Sequence, residues 1–378
     1  MKKKVLFVFG TRPEAIKMAP LINIFKENNN KFITLVAVTA QHREMLDQVL
    51  NIFNIIPDYD LDLMSSDQTL ESLTGKVLNG ISNLLIDEKP ELIFVQGDTT
   101  TTYASALAAF YKKIPVAHIE AGLRTNDKYS PFPEEINRRM TSEISTYHFP
   151  PTETAMKNLL NEGIDKERIK VTGNTVIDSL LSVSRQIDKG NFDYEKKFTE
   201  SCNIDFNNKK TILITGHRRE SFGKGFENIC HAIKSLANDN DIQFIYPVHL
   251  NPNVQEPVNR ILGNLPNIFL IEPQDYIPFI FLMKKAYIIL TDSGGVQEEA
   301  PSLGVPVLVM RNTTERIEGV NVGTANLVGT DKDKIQSSIE LLLNNKAVYD
   351  KMAKAINPYG NGQASLKIYN YILSNIFN

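Results

Sequence analysis

Short apolar runs alternate with longer amphipathic segments along most of the chain. In the first half we predict six strands, at residues 5–9, 33–39, 91–96, 115–120, 146–149 and 168–173. Helical spacing of apolar positions fills the gaps between them, at residues 13–27, 70–88, 99–112 and 152–162. Strands that are apolar almost throughout are typical of a parallel sheet covered by helices on both faces. The first half is therefore predicted to be a doubly wound α/β domain.

The alternation lapses at residues 185–209, which are polar and carry no sustained apolar stripe. It resumes with five predicted strands, at residues 211–216, 242–248, 267–272, 286–292 and 306–310. A final helical segment follows the turn PYGNG, and the pattern leaves open which half it packs on. The first strand of each half ends in similar residues, FGTRPE at 9–14 and TGHRRE at 215–220. We therefore predict a second, similar domain, with a cleft between the two.

The composition is that of a globular protein, with 378 residues, 42% of them hydrophobic and 22% charged. A net charge of −3 predicts no general affinity for nucleic acid or anionic membranes. The apolar run after MKKK is too short for a secretory signal, and no stretch approaches the roughly 18 apolar residues of a membrane span. Cys202 and Cys230 lack CxxC spacing, so neither a disulfide framework nor a zinc site is expected. These features favour a cytoplasmic protein.

Open parallel sheets bind ligands at the carboxyl ends of their strands, so polar residues at those ends are the candidates for a site. After the first strand, GTRPEAIK places Arg12 at the turn and Lys17 about one helical turn further on. Two cations near a helix N-terminus favour a bound phosphate. The alternative is a surface pair between Arg12 and Glu14, with Lys17 in solvent.

Three carboxyls form a second group of candidates. Asp98 follows a strand, Glu120 ends the next strand in sequence, and Glu134 lies at a helix start in a Pro-bounded turn. One βαβ step brings the first two to the same sheet edge, where converging carboxyls can take different pKa values and serve as acid and base. For Asp98 the alternative is an N-cap role. For the group as a whole it is a set of surface salt bridges, with Arg124, Arg138 and Arg139 as partners.

Two further strand ends carry polar residues in the second half. His217 follows its first strand and could donate to a phosphate or transfer a proton, although such a histidine is more often structural. In TDSGGVQEEA, at 291–300, a Ser-Gly-Gly turn offers backbone N–H groups to an anion, while Glu298 and Glu299 follow one turn later. GxGxxG after a strand and GxxxxGK[ST] are both absent. The DxD triplets at 58–62 alternate like an edge strand, and we predict no metal site.

Nine motifs, read in order, carry a resemblance to a known family: FGTRPEAIKMAPL, TAQHREMLDQVL, GDTTTT, EAGLRT, SPFPEE, TGHRRESFG, YPVHLNPNV, TDSGGVQEEAPSLG and RNTTER. Together they resemble the non-hydrolysing UDP-N-acetylglucosamine 2-epimerase family. The resemblance implies a GT-B-type fold of two Rossmann-like domains with the active site in the cleft, and a homodimer. It implies an N-terminal domain of residues 1–173 plus 362–378 and a UDP-binding domain of residues 174–361.

The implied reaction is the reversible C2 epimerisation of UDP-N-acetylglucosamine to UDP-N-acetylmannosamine, by elimination and re-addition of UDP through a 2-acetamidoglucal. The resemblance implies neither a nicotinamide nor a metal. The implied acid–base residues are Asp98, Glu120 and Glu134, and which of them serves which face of the sugar stays open. The residues implied to hold the phosphates or assist their departure are Arg12, Lys17 and His217, the last counted as catalytic.

In the second domain the resemblance implies a complete nucleotide site. The uracil pocket would include Gln274 and Phe279, and the diphosphate would bind at Ser293, Gly294 and Gly295. Glu299 is expected at the ribose hydroxyls and Arg316 near the nucleotide or sugar. A neighbouring regulatory site for the substrate would include Gln41, Gln48 and His249.

Three positions depart from the family pattern. Gln96 replaces a common histidine, Phe132 a tryptophan, and Ile317 a proline after TTER, which leaves the loop of Arg316 less rigid. The alternative functions are a GT-B glycosyltransferase and a catalytically silent UDP-sugar sensor. A hydrolysing relative that releases free N-acetylmannosamine is a further alternative.

Overall fold

The computed structural model describes residues 1–39, 43–63, 68–237 and 241–377. The chain forms two compact units. The first comprises Met1–Ser179 and Tyr359–Asn378, and the second comprises Leu180–Pro358. The borders lie at 179/180 and 358/359, where the resemblance implies boundaries at 173/174 and 361/362.

Each unit contains six strands among the described residues. Those of the first unit are β1 Lys3–Phe9, β2 Phe32–Val38, β3 Tyr59–Asp60, β4 Leu92–Gln96, β5 Val116–Ile119 and β6 Tyr147–Phe149. Those of the second are β7 Lys210–Thr215, β8 Ile242–Pro247, β9 Ile268–Ile271, β10 Ile288–Thr291, β11 Val307–Val309 and β12 Ala325–Leu327.

Helices connect the strands. The first eight are α1 Arg12–Glu27, α2 Arg43–Ile52, α3 Leu70–Glu88, α4 Thr100–Tyr111, α5 Glu134–Ile144, α6 Glu153–Asn161, α7 Thr175–Asp188 and α8 Tyr194–Cys202. The others are α9 Lys224–Leu236, α10 Pro252–Leu262, α11 Tyr276–Lys285, α12 Gly294–Glu299, α13 Ile317–Val322, α14 Lys332–Asn344, α15 Lys346–Ala353 and α16 Ala364–Asn375.

Both sheets are parallel and share one topology. The first has the order β3-β2-β1-β4-β5-β6, and the second has the order β12-β11-β10-β7-β8-β9. Counted from the first strand of each unit, both orders are 3-2-1-4-5-6, the doubly wound Rossmann arrangement. The predicted fold of each half is therefore confirmed. The order reverses between β1 and β4 and between β7 and β10, so the similar motifs FGTRPE and TGHRRE occupy equivalent switch points.

The helix α1 illustrates how the sequence builds the first core. Thr11 caps its N-terminus in a capping box with Glu14. Phe25, fully buried on its inner face, packs edge to face against Phe7 and Phe94 of the sheet. Tyr369 of α16 packs against the same ring with 5.2 Å between the ring centroids. The terminal helix thus completes the core of the first unit.

The structure departs from the predicted elements in three places. Residues 168–173 form no strand, because only Ile169 bridges to His148 before the chain turns away at Gly173. The polar stretch at 185–209 contains α8, which buries only Phe198 and therefore leaves almost no apolar pattern. The edge strand β12 was missed because it spans only three residues. The edge strand β3 lies where the alternating DxD triplets resemble an edge strand. Among the described helices, none is long and apolar enough to cross a membrane.

Candidate functional site

Glu14 connects the turn after β1 to the turn after β4 through hydrogen bonds. It is 1% exposed, and its carboxylate accepts hydrogen bonds from the hydroxyls of Thr11, Thr99 and Thr102 at 2.7, 2.7 and 3.1 Å. The predicted alternative of a surface pair between Arg12 and Glu14 is therefore wrong, because Glu14 points into the protein. Arg12 is the first residue of α1 and is partly exposed.

The four consecutive threonines after Asp98 have a structural reason. Thr99 caps α4 and also donates to Glu14, so one hydroxyl joins two turns. Thr101 is fully buried and bonds Thr39 at the end of β2, with 3.0 Å between the hydroxyl oxygens. A Cβ on Gly10 would lie 2.1 Å from the Thr39 hydroxyl, so only glycine fits between these turns. The residues thus fix three neighbouring strand ends.

Asp98 lies in the turn after β4, with its carboxylate 2.8 Å from Arg138 of α5. Its pKa is raised from 3.8 to about 6, chiefly by burial; the charges of Glu120 and Glu134 contribute to the rise, while Arg138 and Lys17 oppose it. A carboxyl with such a pKa exchanges protons near neutral pH, as acid–base catalysis requires. The N-cap alternative is wrong, since Thr99 caps the helix.

His118 supports the same turn from β5. Its Nε2 lies 2.7 Å from the carbonyl oxygen of Gly97. Burial lowers the pKa of His118 to about 3, so the ring is neutral and donates one N–H to that carbonyl.

Glu120 follows β5 at the same sheet edge, as predicted, since Gln96 pairs with Ile119 in the register of β4 and β5. Its φ of +61° is a left-handed conformation that costs a non-glycine residue about 1–3 kcal/mol. Donors from different elements of the described chain bind its carboxylate. They include Lys17 at 2.6 and 2.7 Å, Asn174 at 2.8 Å, and the side-chain amide of Gln96. The predicted alternative of a solvent-exposed Lys17 is therefore wrong, because its ammonium contacts this carboxylate. Its role at a phosphate stays a prediction.

Glu134 begins α5, and its Oε2 is buried with no hydrogen-bond partner among the described residues. The negative charges of Glu120 and Glu134 both raise the pKa of Asp98. The three predicted carboxyls therefore interact within one unit. Among the ion pairs of the described residues, the salt-bridge alternative holds for Arg138, which pairs with Asp98. Arg124 pairs with Glu162, and Arg139 with Glu135 and Glu162.

In the second unit, Asp292 organises the turn that carries His217. The Asp292 carboxylate accepts the backbone N–H groups of His217 and Arg218 at 2.7 and 2.8 Å, and its second oxygen is 3.7 Å from His217 Nδ1. Burial lowers the pKa of His217, and Asp292 opposes this shift. The imidazole stacks on that of exposed His249, with ring centroids 5.0 Å apart.

The Ser-Gly-Gly turn lies at the end of β10, across the switch point from His217. Ser293 precedes α12, and a Cβ on Gly294 would lie 3.1 Å from the Arg316 guanidinium. A Cβ on Gly295 would lie 3.9 Å from the Glu299 carboxylate, so that side chain folds back over the turn. Arg316 therefore lies beside the backbone that is expected to bind the diphosphate.

Glu298, which the sequence left unassigned, is 4% exposed and holds Arg316 at 2.9 Å. Its backbone carbonyl accepts the side-chain amide of Asn357 at 2.7 Å. A solvated role for Glu298 is therefore excluded.

Three further predicted site residues lie on or beside helices of the described chain. Gln274 precedes α11 and donates to the carbonyl of Glu272 at 2.6 Å, and Phe279 lies half-buried on α11. Gln48 is exposed on α2. Gln41 lies outside the described residues.

Sequence reasoning missed four residues that hold the site together: Glu14, Arg138, Asn174 and Asp292. Asp292 had a usable signal, since it ends a strand at a switch point as Asp98 does. Arg138 and Glu14 were considered only as surface partners. Asn174 is brought to Glu120 only by the tertiary fold.

A family model described as UDP-N-acetylglucosamine 2-epimerase matches residues 26–373. The chain belongs to this family. Among epimerase relatives, the UDP-N-acetylglucosamine 2-epimerase of Escherichia coli K12 is 56% identical over 376 residues, which cover 98% of this chain and 99% of that protein. The Campylobacter jejuni enzyme of the same name is 53% identical, covering 99% of this chain and 98% of its own length.

Solved epimerase structures agree over both units. The Neisseria meningitidis UDP-GlcNAc 2-epimerase, bound to UDP-GlcNAc, is 51% identical with a TM-score of 0.89, covering 98% of this chain and all of that one. The Methanocaldococcus jannaschii enzyme, in complex with UDP-GlcNAc and UDP, is 37% identical with a TM-score of 0.79, covering 98% of this chain and 99% of that one. These similarities confirm the GT-B-type fold class that the sequence predicts.

Proposed function

We propose that this protein interconverts UDP-N-acetylglucosamine and UDP-N-acetylmannosamine by inverting C2 of the sugar. The observation that carries the proposal is the group of three carboxyls in the first unit, one of them with a pKa of about 6. Membership of the epimerase family supports the same reaction. A UDP-binding module or a glycosyltransferase would have no need for several carboxyls suited to proton transfer.

The chemistry requires an elimination followed by an addition. A carboxylate takes the C2 proton, the electron pair of the C–H bond forms the C1=C2 double bond, and the C1–O bond breaks. UDP leaves with that bond's electron pair on its β-phosphate oxygen. UDP then adds back to C1 of the 2-acetamidoglucal while a carboxylic acid protonates C2 on the opposite face. Asp98, Glu120 and Glu134 are the residues we assign to these transfers.

The departing UDP gains negative charge, which cations near the β-phosphate stabilise. We assign this role to Arg12, Lys17 and His217. For Lys17 the assignment requires that it exchange its contact with Glu120 for one with the diphosphate.

We further propose that the second unit holds the nucleotide. In this proposal Gln274 and Phe279 contact the uracil, Glu299 accepts hydrogen bonds from the ribose hydroxyls, and Arg316 contacts the phosphates or the sugar. The N–H groups of residues 293–295 bind the diphosphate. The close approach at Gly294 supports this, since a side chain there would crowd Arg316.

Assembly, location and regulation complete the proposal. We expect a cytoplasmic homodimer, and activation by the substrate at a second site that includes Gln41, Gln48 and His249. The ring stacking between His249 and His217 supports a link between this second site and the catalytic histidine.

Product analysis tests the function directly. The purified protein is incubated with UDP-N-acetylglucosamine alone, and the nucleotide sugars are separated by anion-exchange chromatography. We expect UDP-N-acetylmannosamine at a constant equilibrium ratio, reached from either sugar. Release of UDP and free N-acetylmannosamine would instead identify a hydrolase. If the substrate remained unchanged until an acceptor was added, the protein would be a glycosyltransferase.

A further inference from the structure

Asn174 is held in one orientation in the turn before α7. It is 2% exposed, and its amide nitrogen donates to Glu120 Oε1 at 2.8 Å. Its amide oxygen accepts the backbone N–H of Val176 at 3.1 Å. Exchanging the amide nitrogen and oxygen would break both hydrogen bonds, because a carboxylate only accepts and an N–H only donates.

The backbone of Asn174 is also fixed. Its N–H donates to the carbonyl of Tyr359 at 2.6 Å. The preceding Gly173 has a φ of +90°, and a Cβ there would lie 3.1 Å from Gly360 Cα and from the Tyr359 carbonyl oxygen. Two chain segments thus pack backbone to backbone behind the side chain, so the amide reaches Glu120 from a rigid support.

The donors around Glu120 divide into two kinds. A carboxylate has about four lone-pair sites. Lys17 contacts both oxygens, while Asn174 contacts Oε1 and Gln96 contacts Oε2. Lys17 is a long cation, 19% exposed in its side chain, whereas both amides are buried and neutral. When Lys17 moves to a phosphate, the two amides still hold the carboxylate in the same orientation.

We infer that Asn174 is a positioning residue that keeps the Glu120 carboxylate in the orientation for proton transfer. The inference rests on the proposed function. Among the described residues, the charged and titratable groups that interact with this carboxyl include Lys17 of α1, Asp98 after β4 and the neutral His118 of β5. Asn174 adds a donor to this set without adding a charge.

Two substitutions separate positioning from structure. Both Asn174→Ser and Asn174→Asp keep an oxygen that can accept the Val176 N–H. The serine is too short to reach Glu120, whereas the aspartate replaces the donor with a second carboxylate. Asn23→Asp is the matched control, because the Asn23 amide in the same unit donates to the Phe53 carbonyl at 3.3 Å and not to one of the three carboxyls. Each variant is tested for thermal unfolding, kcat, KM and deuterium uptake at C2 in heavy water.

We expect Asn174→Ser to fold and to lower kcat and C2 exchange together by about 10²-fold, with KM nearly unchanged, because the proton-transfer group is misplaced rather than removed. Asn174→Asp should be less active than the serine variant near pH 8. Its kcat relative to wild type should rise as the pH falls towards about 6, because a protonated Asp can again donate to Glu120. Asn23→Asp should retain wild-type kcat.

Three results would overturn the inference. These are a folded Asn174→Ser protein with wild-type kcat, a pH-independent activity ratio for Asn174→Asp, and failure of both variants to fold, which would make the residue structural. If the wild type itself forms no UDP-N-acetylmannosamine and takes up no deuterium, the proposed function fails instead.

Discussion

The ammonium of Lys17 lies 2.6 and 2.7 Å from the two carboxylate oxygens of Glu120. The two side chains are 19% and 6% exposed. The pair joins a cation assigned to the diphosphate with a carboxylate assigned to proton transfer. Lys17 cannot bind a phosphate fully while it occupies lone pairs on both oxygens. Substrate binding is therefore expected to draw Lys17 away from Glu120 when proton transfer takes place.

The first prediction concerns this ion pair. Lys17→Met should lower the free energy of unfolding by about 3 kcal/mol, because it leaves a largely buried carboxylate without its cation. The double variant Lys17→Met/Glu120→Gln should recover most of that loss, since neither charge remains. Both proteins should be inactive. Urea unfolding at neutral pH measures the two values, and a double variant as unstable as Lys17→Met would contradict the account.

The second prediction follows from the pKa of Asp98, which burial raises from 3.8 to about 6. The folded protein therefore holds this proton more tightly than the unfolded chain. The resulting stabilisation is fully present below pH 3.8 and is lost as the pH rises through about 6.

Asp98→Asn lacks this titration. Relative to wild type, the variant should become more stable between about pH 4 and pH 7. The change should be below about 3 kcal/mol, because the carboxylate is partly exposed and paired with Arg138. Denaturant unfolding of both proteins across that pH range measures the difference in their free energies of unfolding. A difference that does not vary with pH would contradict the assigned pKa.

The third prediction concerns the bonds between Glu14 and the turn after β4. Thr99→Val removes both the helix cap and the hydroxyl that reaches Glu14, and should cost about 2 kcal/mol of stability. Thr99→Ser keeps the hydroxyl and should cost much less. The two midpoints of thermal unfolding make the comparison. Equal losses would show that the methyl group of Thr99, rather than the hydrogen bonds, supports the turn.

The fourth prediction concerns Glu298, which holds Arg316 at 2.9 Å. Glu298→Gln should weaken UDP binding about tenfold, because it removes a charge-assisted bond that orients the guanidinium. Isothermal titration with UDP measures the affinity. At saturating substrate, C2 exchange should stay close to wild type. A selective loss of exchange with normal UDP affinity would show that Glu298 acts in proton transfer.

The strand ends could be predicted from the sequence because they depend on chain order and periodicity. Asp98 and Glu120 end consecutive strands, and a parallel sheet brings such ends together. His217 and the Ser-Gly-Gly turn likewise occupy the ends of β7 and β10, which are hydrogen-bonded neighbours. These positions follow from local pattern and a topology rule.

The contacts that hold these residues depend on the tertiary fold. Asn174 meets Glu120 across 54 residues, and Thr99 meets Glu14 across 85. The position of the Asn174 amide also depends on Tyr359, which returns to the first unit near the end of the chain. The periodicity of apolar residues does not indicate such partners. Glu14 was therefore predicted to lie on the surface because it is charged, although it is buried.

The most direct test of the account is deuterium incorporation at C2 in heavy water, followed by NMR with UDP-N-acetylglucosamine and no acceptor. Wild type is compared with Asp98→Asn, Glu120→Gln and Glu134→Gln. We predict that wild type incorporates deuterium at C2 of both UDP-sugars. Each variant should remain folded, and its exchange rate should be about 10²–10⁴-fold lower than that of wild type. Exchange and turnover at the wild-type rate in all three variants would contradict the assignment of proton transfer to these carboxyls.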